Sequence, residues 1–177
     1  MKIAISSPST AVLNGLLYVI GGSFFDQEDV IDLVQVYYPS SDTWKELSTL
    51  LNPRSGAGAC ALNEKIYVLG GRDSFGELDL AEVYDIASDK WETVPPMIEK
   101  RYKPGVCVSN NQLYACGGQK SIGNYNESIE CFSFDTQQWS IISSMTTGRS
   151  NLSCATLRLK NPMIENADEI NKNNTSF

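Results

Sequence analysis

Histidine does not occur among the 177 residues of this chain. Its absence removes the commonest general base and the commonest metal ligand, so we expect no catalytic residues, no metal and no cofactor. The five cysteines form no CxxC pair and their number is odd, which suits neither a zinc site nor a disulfide framework. We interpret them as small buried hydrophobes in a protein of the reducing cytoplasm.

Long apolar runs and an excess of basic residues are also lacking. No stretch approaches the length of a membrane span, so no membrane partner is predicted. The short apolar start of the chain is broken by polar residues from Ser6 to Thr10, which argues against a signal peptide. The formal net charge of −7 argues against a nucleic-acid partner, because such proteins usually present a basic face.

What the chain does contain is a pattern that occurs three times. A pair of glycines precedes an aromatic residue, a tryptophan follows that aromatic after seven residues, and an arginine follows the tryptophan after ten. The glycine pairs are Gly21-Gly22, Gly70-Gly71 and Gly117-Gly118, the aromatics Tyr37, Tyr84 and Phe132, the tryptophans Trp44, Trp91 and Trp139, and the arginines Arg54, Arg101 and Arg149. A period near fifty residues with these features indicates propeller blades built by repetition.

Each unit predicts a four-stranded antiparallel sheet, as the second unit shows. Small residues from Arg54 to Leu62 suit an innermost strand close to the axis of a propeller. A tight turn at Asn63-Glu64 leads to the β-branched and aromatic run from Lys65 to Leu69. Glu82 to Tyr84 and Lys90 to Val94 form the third and outer strands. The loop after each glycine pair varies in length, as expected of loops that present a binding surface.

In its glycine pairs, its spaced aromatic and tryptophan, and the arginine that opens each inner strand, the chain resembles the Kelch repeat. The resemblance covers about residues 8–159 and is greatest to the Kelch domains of BTB–Kelch adaptor proteins. It implies an all-β fold, a partial Kelch-type β-propeller of about three four-stranded antiparallel blades plus one extra inner strand. The expected divisions are an N-terminal segment at 1–7, blades at about 8–49, 54–96 and 101–145, an inner strand of a fourth blade at 149–159, and a disordered polar tail at 160–177.

The repeat pattern breaks at both ends of the chain. The arginine expected before the first inner strand falls on Ile5, and a fourth glycine pair falls on Glu165 and Asn166. Three explanations are open: a fragment or truncated product of a longer Kelch protein, a short chain that closes a six-bladed ring with a copy of itself, or an open arc of weak stability. Exposed apolar faces and open strand edges would favour aggregation.

Contacts with a protein partner are predicted on one face. In BTB–Kelch proteins the loops from outer to inner strand and the loops after the glycine pair bind the substrate. By resemblance this face includes Arg54, Ser55, Arg101, Tyr102, Arg149, Ser150, Asn151, Arg72, Gln119, Lys120 and the aromatics Phe24, Phe25 and Phe75. Three arginines on one rim would clamp the carboxylates of an acidic peptide. Alternatively, each arginine binds backbone carbonyls or an acid such as Glu82 or Glu130.

The resemblance implies a non-enzymatic protein-interaction module, the substrate-recognition part of an adaptor for a cullin ubiquitin ligase. The BTB domain that would contact the cullin is absent from these 177 residues. An actin-binding Kelch protein, cytoplasmic and associated with the cytoskeleton, is the alternative. A copper oxidase of the kind found on some Kelch propellers would need histidine ligands. The segment from Ser40 to Trp44 lacks the glycine and the spacing of a sialidase box.

Overall fold

The computed structural model describes residues 1, 3–24 and 29–157 and consists of short β-strands joined by turns and loops. Within these ranges there is no helix that could cross a membrane. The strands are β1 (Ile5–Ser6), β2 (Ser9–Leu13), β3 (Leu16–Ile20), β4 (Ser23–Phe24), β5 (Val34–Tyr38), β6 (Thr43–Glu46), β7 (Gly58–Leu62), β8 (Lys65–Leu69), β9 (Ala81–Asp85), β10 (Lys90–Val94), β11 (Gly105–Ser109), β12 (Gln112–Cys116), β13 (Gln119–Ser121), β14 (Asn124–Tyr125), β15 (Ser128–Ser133) and β16 (Gln138–Ser144).

Three sheets of four antiparallel strands form the repeat units, which we call blades. Blade 1 contains β2, β3, β5 and β6, blade 2 contains β7 to β10, and blade 3 contains β11, β12, β15 and β16. Strand order in each sheet follows chain order. The first strands of the three blades are neighbours, since β2 contacts β7 and β7 contacts β11, so they form the inner edge. The predicted all-β fold of four-stranded antiparallel blades is confirmed.

The turn between the first and second strand is the same in every blade. Both residues of Asn14-Gly15, Asn63-Glu64 and Asn110-Asn111 have φ between 48° and 74°. Two successive positive φ angles are typical of the two-residue hairpin turn whose twist matches that of the strands it joins. Asparagine and glycine adopt these angles at the lowest conformational cost. This local preference sets the strand register of each hairpin.

The blades pack face to face through two hydrophobic clusters. Because side chains alternate along a strand, β8 in the middle blade sends Ile66 and Val68 towards blade 1 and Tyr67 and Leu69 towards blade 3. All four are buried, which explains the continuous apolar run that the strand shows in sequence.

The tryptophans of blades 2 and 3 also contact the linker that follows the preceding blade. The indole Nε1–H of Trp91 donates to the Ser48 carbonyl at 2.9 Å, and that of Trp139 donates to the Pro95 carbonyl at 2.8 Å. Trp44 of blade 1 donates to no such acceptor within the described residues and is only half-buried. Trp91 and Trp139 therefore act between blades, because each fixes the linker that follows the preceding blade.

A chain of backbone hydrogen bonds joins the blades around the inner edge. The Gly56 N–H donates to the Ser7 carbonyl at 2.8 Å, Lys103 to Gly56 at 2.7 Å, and Asn151 to Lys103 at 2.9 Å. All four residues have φ between 51° and 60°, so the same left-handed conformation recurs at the same repeat position. These bonds run in one direction, with each blade donating to the one before it.

The two ends of the repeat region differ from the predicted boundaries. Strand β1 lies in the segment predicted as N-terminal to the repeats, yet it pairs in a separate two-stranded sheet with β4, at the start of the loop after the first glycine pair. At the other end, the described residues 149–157 form no β-strand, although an inner strand was predicted at 149–159. A strand needs a hydrogen-bonded partner strand, and the described residues supply none for this segment. Residues 158–159 and the predicted tail at 160–177 lie outside the described residues.

Candidate protein-binding face

One face of the blades is built by the same pairing in each repeat. Ser6 pairs with Ser23 in blade 1, Ser55 with Arg72 in blade 2, and Tyr102 with Gln119 in blade 3. In each pairing, the residue that follows the arginine position of the repeat (Ile5, Arg54 or Arg101) lies against the start of the loop after the glycine pair. We call the surface formed by these residues and loops the loop face.

A polar groove of 460 Å³ crosses the loop face between the three blades. Its lining residues come from all three repeats: Ser23, Asp29, Val30, Ser55, Arg72, Asp73, Ser74 and Tyr102. The structure therefore brings together Ser55, Arg72 and Tyr102, which were predicted from separate parts of the sequence. Asp29 and Asp73 also line the groove, so that it carries charges of both signs.

Arg54 does not reach the loop face, although it was predicted to bind a partner there. Its side chain is 1% exposed and forms an ion pair with Glu82, which is also 1% exposed. The guanidinium also donates to the carbonyls of Gly70 and Leu80, both at 3.1 Å. Burial lowers the pKa of the Arg54 guanidinium, and the Glu82 carboxylate opposes that shift. The predicted clamp on an acidic peptide is wrong for this residue, because its donors are already used inside the blade.

Arg101 repeats this arrangement in blade 3 and is likewise unavailable to a partner. It is 0% exposed, as is its ion-pair partner Glu130 at 2.7 Å. Its other donors bind the Gly117 carbonyl at 2.6 Å and the carbonyl and hydroxyl oxygens of Ser128 at 3.1 and 2.6 Å. The alternative reading of the arginines, in which they bind carbonyls and the acids Glu82 and Glu130, holds for Arg54 and Arg101.

The two buried glutamates also hold the linker that enters their blade. Glu130 accepts from the backbone N–H groups of Ile98 at 2.7 Å and Glu99 at 3.0 Å. Glu82 accepts from Leu51 N–H and from the Asn52 amide, both at 2.9 Å. In each of these two blades, the buried arginine–glutamate pair, which we call the brace, therefore connects the incoming linker with the second and third strands.

Blade 1 replaces this brace by an uncharged pair. Ile5 stands at the arginine position and Gln35 at the glutamate position. Gln35 is 3% exposed and its amide oxygen has no hydrogen-bond partner within the described residues. A glutamate there would be a buried charge without a counter-ion, so the loss of the arginine is matched by the neutral amide.

Arg149 differs from the other two arginines because its side chain is exposed. The described residues contain no carboxylate within ion-pair distance of it. Its backbone is placed as in the other repeats, since the Arg149 carbonyl accepts from Gly118 N–H at 2.7 Å, as the Arg101 carbonyl does from Gly71 at 2.8 Å. Arg149 is thus the one predicted clamp residue whose charge is open to solvent.

The other predicted contact residues divide between groove, loops and the segment after blade 3. Ser55 is buried at 8%, and Tyr102 and Gln119 are partly exposed. Arg72, Lys120 and Asn151 are exposed and Ser150 is partly exposed. Phe24 is 37% exposed, and Phe25 lies outside the described residues.

The loops after the glycine pairs carry apolar side chains that extend into solvent. Phe75 of blade 2 is 98% exposed. In blade 3, Ile122 is 87% and Tyr125 is 45% exposed at the β13–β14 hairpin. Phe75 was predicted as a contact residue, whereas Ile122 and Tyr125 were not. Their signal in the sequence was the same as that of Phe75, an apolar residue in a polar loop that follows a glycine pair.

The cysteine and acidic side chains of the described residues were potential metal ligands and nucleophiles. Within them, no group of three or more cysteine and acidic side chains could hold a metal ion. Burial raises the pKa of the Cys60 thiol to about 12 and that of the Cys154 thiol to about 11. Thiols of such high pKa carry little thiolate at neutral pH and are poor nucleophiles.

The fold and the recurring site together define a class of protein. Three antiparallel four-stranded blades, packed by tryptophans and with a buried arginine–glutamate brace in two of them, form part of a β-propeller. A family model described as the KLHDC2/KLHL20/DRC7 Kelch-repeats domain matches residues 4–163. The chain belongs to the Kelch-repeat family.

Known proteins support this assignment over parts of the chain. An F-box/kelch-repeat protein of Arabidopsis thaliana, At1g67480, is 39% identical over 75 residues, which cover 42% of this chain and 20% of that protein. Kelch-like protein 38 of Rattus norvegicus is 38% identical over 71 residues, covering 40% of this chain and 12% of the relative. The matching segments thus cover a fifth or less of the length of these relatives.

A solved structure, that of YjhT, has the same fold. It superposes with a TM-score of 0.74 at 18% sequence identity and covers 85% of this chain and 55% of the YjhT chain. The family model and this superposition together establish a Kelch-type β-propeller fold.

Proposed function

We propose that the loop face binds a protein client through the apolar side chains that extend from it. The observation that carries this proposal is the exposure of Phe75 at 98% and Ile122 at 87% on equivalent loops of neighbouring blades. Fully burying a side chain of this size contributes about 1.5–3 kcal/mol. A partner with apolar pockets would gain that free energy from each of the two side chains.

The groove beside these loops gives the interface a polar part. Asp29, Asp73 and Arg72 line it together, so it offers hydrogen-bond donors and acceptors and no large field of one sign. We propose that apolar anchoring and hydrogen bonding select the client, as in interfaces with a few apolar hot spots and a polar rim. An acidic motif in the client would be bound by Arg72 and Lys120, which remain exposed on this face.

At a finer level, we propose that the chain recognises clients for a cullin ubiquitin ligase and has no catalytic activity of its own. The similarity to several Kelch-like proteins supports this role. Binding of filamentous actin is the alternative. Both roles would place the protein in the cytoplasm.

Replacing both exposed anchors should abolish client binding while leaving the blades folded. In Phe75→Glu/Ile122→Glu, each lost hot spot costs about 2 kcal/mol, or roughly 30-fold in affinity. Affinity capture from cells followed by quantitative mass spectrometry compares this variant with the wild type. Val12→Glu is the matched control, because Val12 is 65% exposed on β2, away from the loops.

The outcomes separate the proposals. Clients retained equally by the wild type and the double variant would contradict the binding face. Co-sedimentation of the wild type with filamentous actin, lost in the double variant, would favour the actin role over the ligase role. For the ligase role, a captured client should become ubiquitinated in cells when these repeats are joined to a BTB domain, and should not with the double variant.

A further inference from the structure

Three of the five cysteines lie together where blade 3 meets the segment 149–157. Cys107 is on β11, Cys116 is on β12, and Cys154 is in the segment. The register of the two strands places Cys116 directly opposite Gly105, and Cys107 is two residues further along β11. Both thiols are therefore on the same face of the sheet as position 105, which has no side chain.

The segment 149–157 brings the third thiol onto this glycine. The Cys154 sulfur lies over Gly105, and the Cys154 Cβ is 3.5 Å from the place that a Cβ on Gly105 would occupy. Two hydrogen bonds to blade 3 hold the segment on either side of this cysteine, from Asn151 N–H to the Lys103 carbonyl at 2.9 Å and from the Thr156 hydroxyl to the Val108 carbonyl. The Cys154 sulfur thus fills the space next to Cys116.

The thiols are close enough to change one another's protonation. Burial raises the pKa of Cys154, and the neighbouring Cys116 thiol raises it further. Burial also raises the pKa of Cys116, whereas a hydrogen bond from Cys154 and the positive charge of Arg101 lower it. A neighbouring thiol and a neighbouring charge therefore both favour the Cys116 thiolate.

The equivalent contact between blades 2 and 3 is made by side chains that carry no thiol. There Leu69 lies opposite Gly58, and the Val106 side chain lies over Gly58. Leu69 and Val106 pack in one hydrophobic cluster. In the repeat register Cys116 is equivalent to Leu69, and Cys154 is equivalent to Val106. Two thiols therefore occupy a contact that is purely apolar one repeat earlier.

We propose that Cys116 and Cys154 form a disulfide when the chain is exposed to a peroxide, and that this bond fixes segment 149–157 on blade 3. The Cys116 thiolate attacks one oxygen of hydrogen peroxide, the O–O bond breaks, and hydroxide leaves and takes up the proton that Cys116 released. The Cys154 sulfur then attacks the Cys116 sulfenic acid. The S–S bond forms, the S–O bond breaks, and the oxygen leaves with the Cys154 proton as water. Two thiols are oxidised, and one peroxide is reduced to two water molecules.

The geometry suits both the formation and the persistence of this bond. The Cβ atoms of a disulfide are about 3.5–4.5 Å apart, and the Cys154 Cβ already lies at such a distance from position 105, which Cys116 faces across the ladder. Because the second thiol is in place, the sulfenic acid is captured before it is oxidised further. The raised pKa of Cys154 makes it a poor leaving group, so the disulfide exchanges slowly with other thiols.

Oxidation of the reduced full chain by a small excess of hydrogen peroxide tests the proposal. We expect the number of free thiols to fall from five to three, since two are consumed. Peptide mapping without reductant should find the peptides of Cys116 and Cys154 joined. The Asn151 amide should exchange with deuterium at least about tenfold more slowly in the oxidised chain, and a reductant should restore its rate. None of these readouts depends on client binding.

Cysteine variants supply the controls. Cys116→Ser and Cys154→Ser should each prevent this crosslink and the slower exchange. Cys131→Val installs the residue that the other two blades carry at that position, and it should leave both unchanged. Urea unfolding of the reduced variants reports whether their blades remain folded. A crosslink from Cys154 to Cys107, sulfinic acid without a crosslink, or a crosslink that leaves the exchange rate unchanged would overturn the proposal.

Discussion

Arg101→Ala should lower the free energy of unfolding by about 3–5 kcal/mol, because it leaves the Glu130 carboxylate buried without its counter-ion. Both side chains are 0% exposed, and Arg101 also holds the carbonyls of Gly117 and Ser128. The ion pair and the hydrogen bonds to both carbonyls are therefore lost together. Urea unfolding would measure the change as a lower midpoint at unchanged slope.

Two control variants show whether a loss of stability comes from breaking the brace or from removing a positive charge. Arg149→Ala removes an exposed guanidinium and should change the stability by no more than about 0.5 kcal/mol. Arg101→Ile/Glu130→Gln installs the uncharged pair that blade 1 carries at Ile5 and Gln35. It should be more stable than Arg101→Ile alone, since no unpaired charge stays buried. An Arg101→Ala protein that keeps its stability but loses client binding would restore the clamp interpretation.

Gly70→Ala should destabilise the protein by about 3 kcal/mol. Gly70 has a φ of +66°, which costs an alanine about 1–2 kcal/mol. An added Cβ would also overlap the Arg101 carbonyl oxygen, and the Met97 methyl group would lie 3.2 Å away. Overpacking of this kind costs a further 1–3 kcal/mol or so. Thermal and urea unfolding would both report the loss.

A second glycine variant separates the two causes of the expected loss of stability at Gly70, which are the overlap of the added Cβ and the positive φ angle. Gly123 has a φ of +74° and nothing within 4 Å of an added Cβ. Gly123→Ala should therefore cost only the conformational part, about 1 kcal/mol. Equal losses at the two positions would show that the contact between Gly70 and Arg101 does not hold the blades together.

Blade architecture could be predicted because its causes are local and repeated. The positive φ of Asn14-Gly15 and its equivalents sets the hairpins, and alternation along strands such as β8 sets which side chains face each neighbour. Each signal occurs three times at nearly constant spacing, so chance agreement is excluded. The same regularity showed the glycine pairs as points of close backbone approach.

The direction of the arginines could not be predicted in this way. Sequence position places Arg54, Arg101 and Arg149 at one point of the repeat, and equal positions suggested equal exposure on one rim. Whether one of these arginines is exposed depends on whether the third strand of the same blade, about 28 residues later, carries a glutamate that pairs with it. Glu82 and Glu130 draw two arginines inward, while Arg149 meets no such residue in the described chain.

Strand pairing, turn type and repeat length were thus encoded in short segments, because backbone preferences and side-chain alternation act over a few residues. Folding then distinguished Arg54 and Arg101, which stabilise the blades, from Phe75 and Ile122, which extend into solvent. It did so because burial results from contacts between residues distant in sequence. In the folded chain the apolar side chains at the loop tips and the polar groove are exposed, whereas the buried charges hold the blades together.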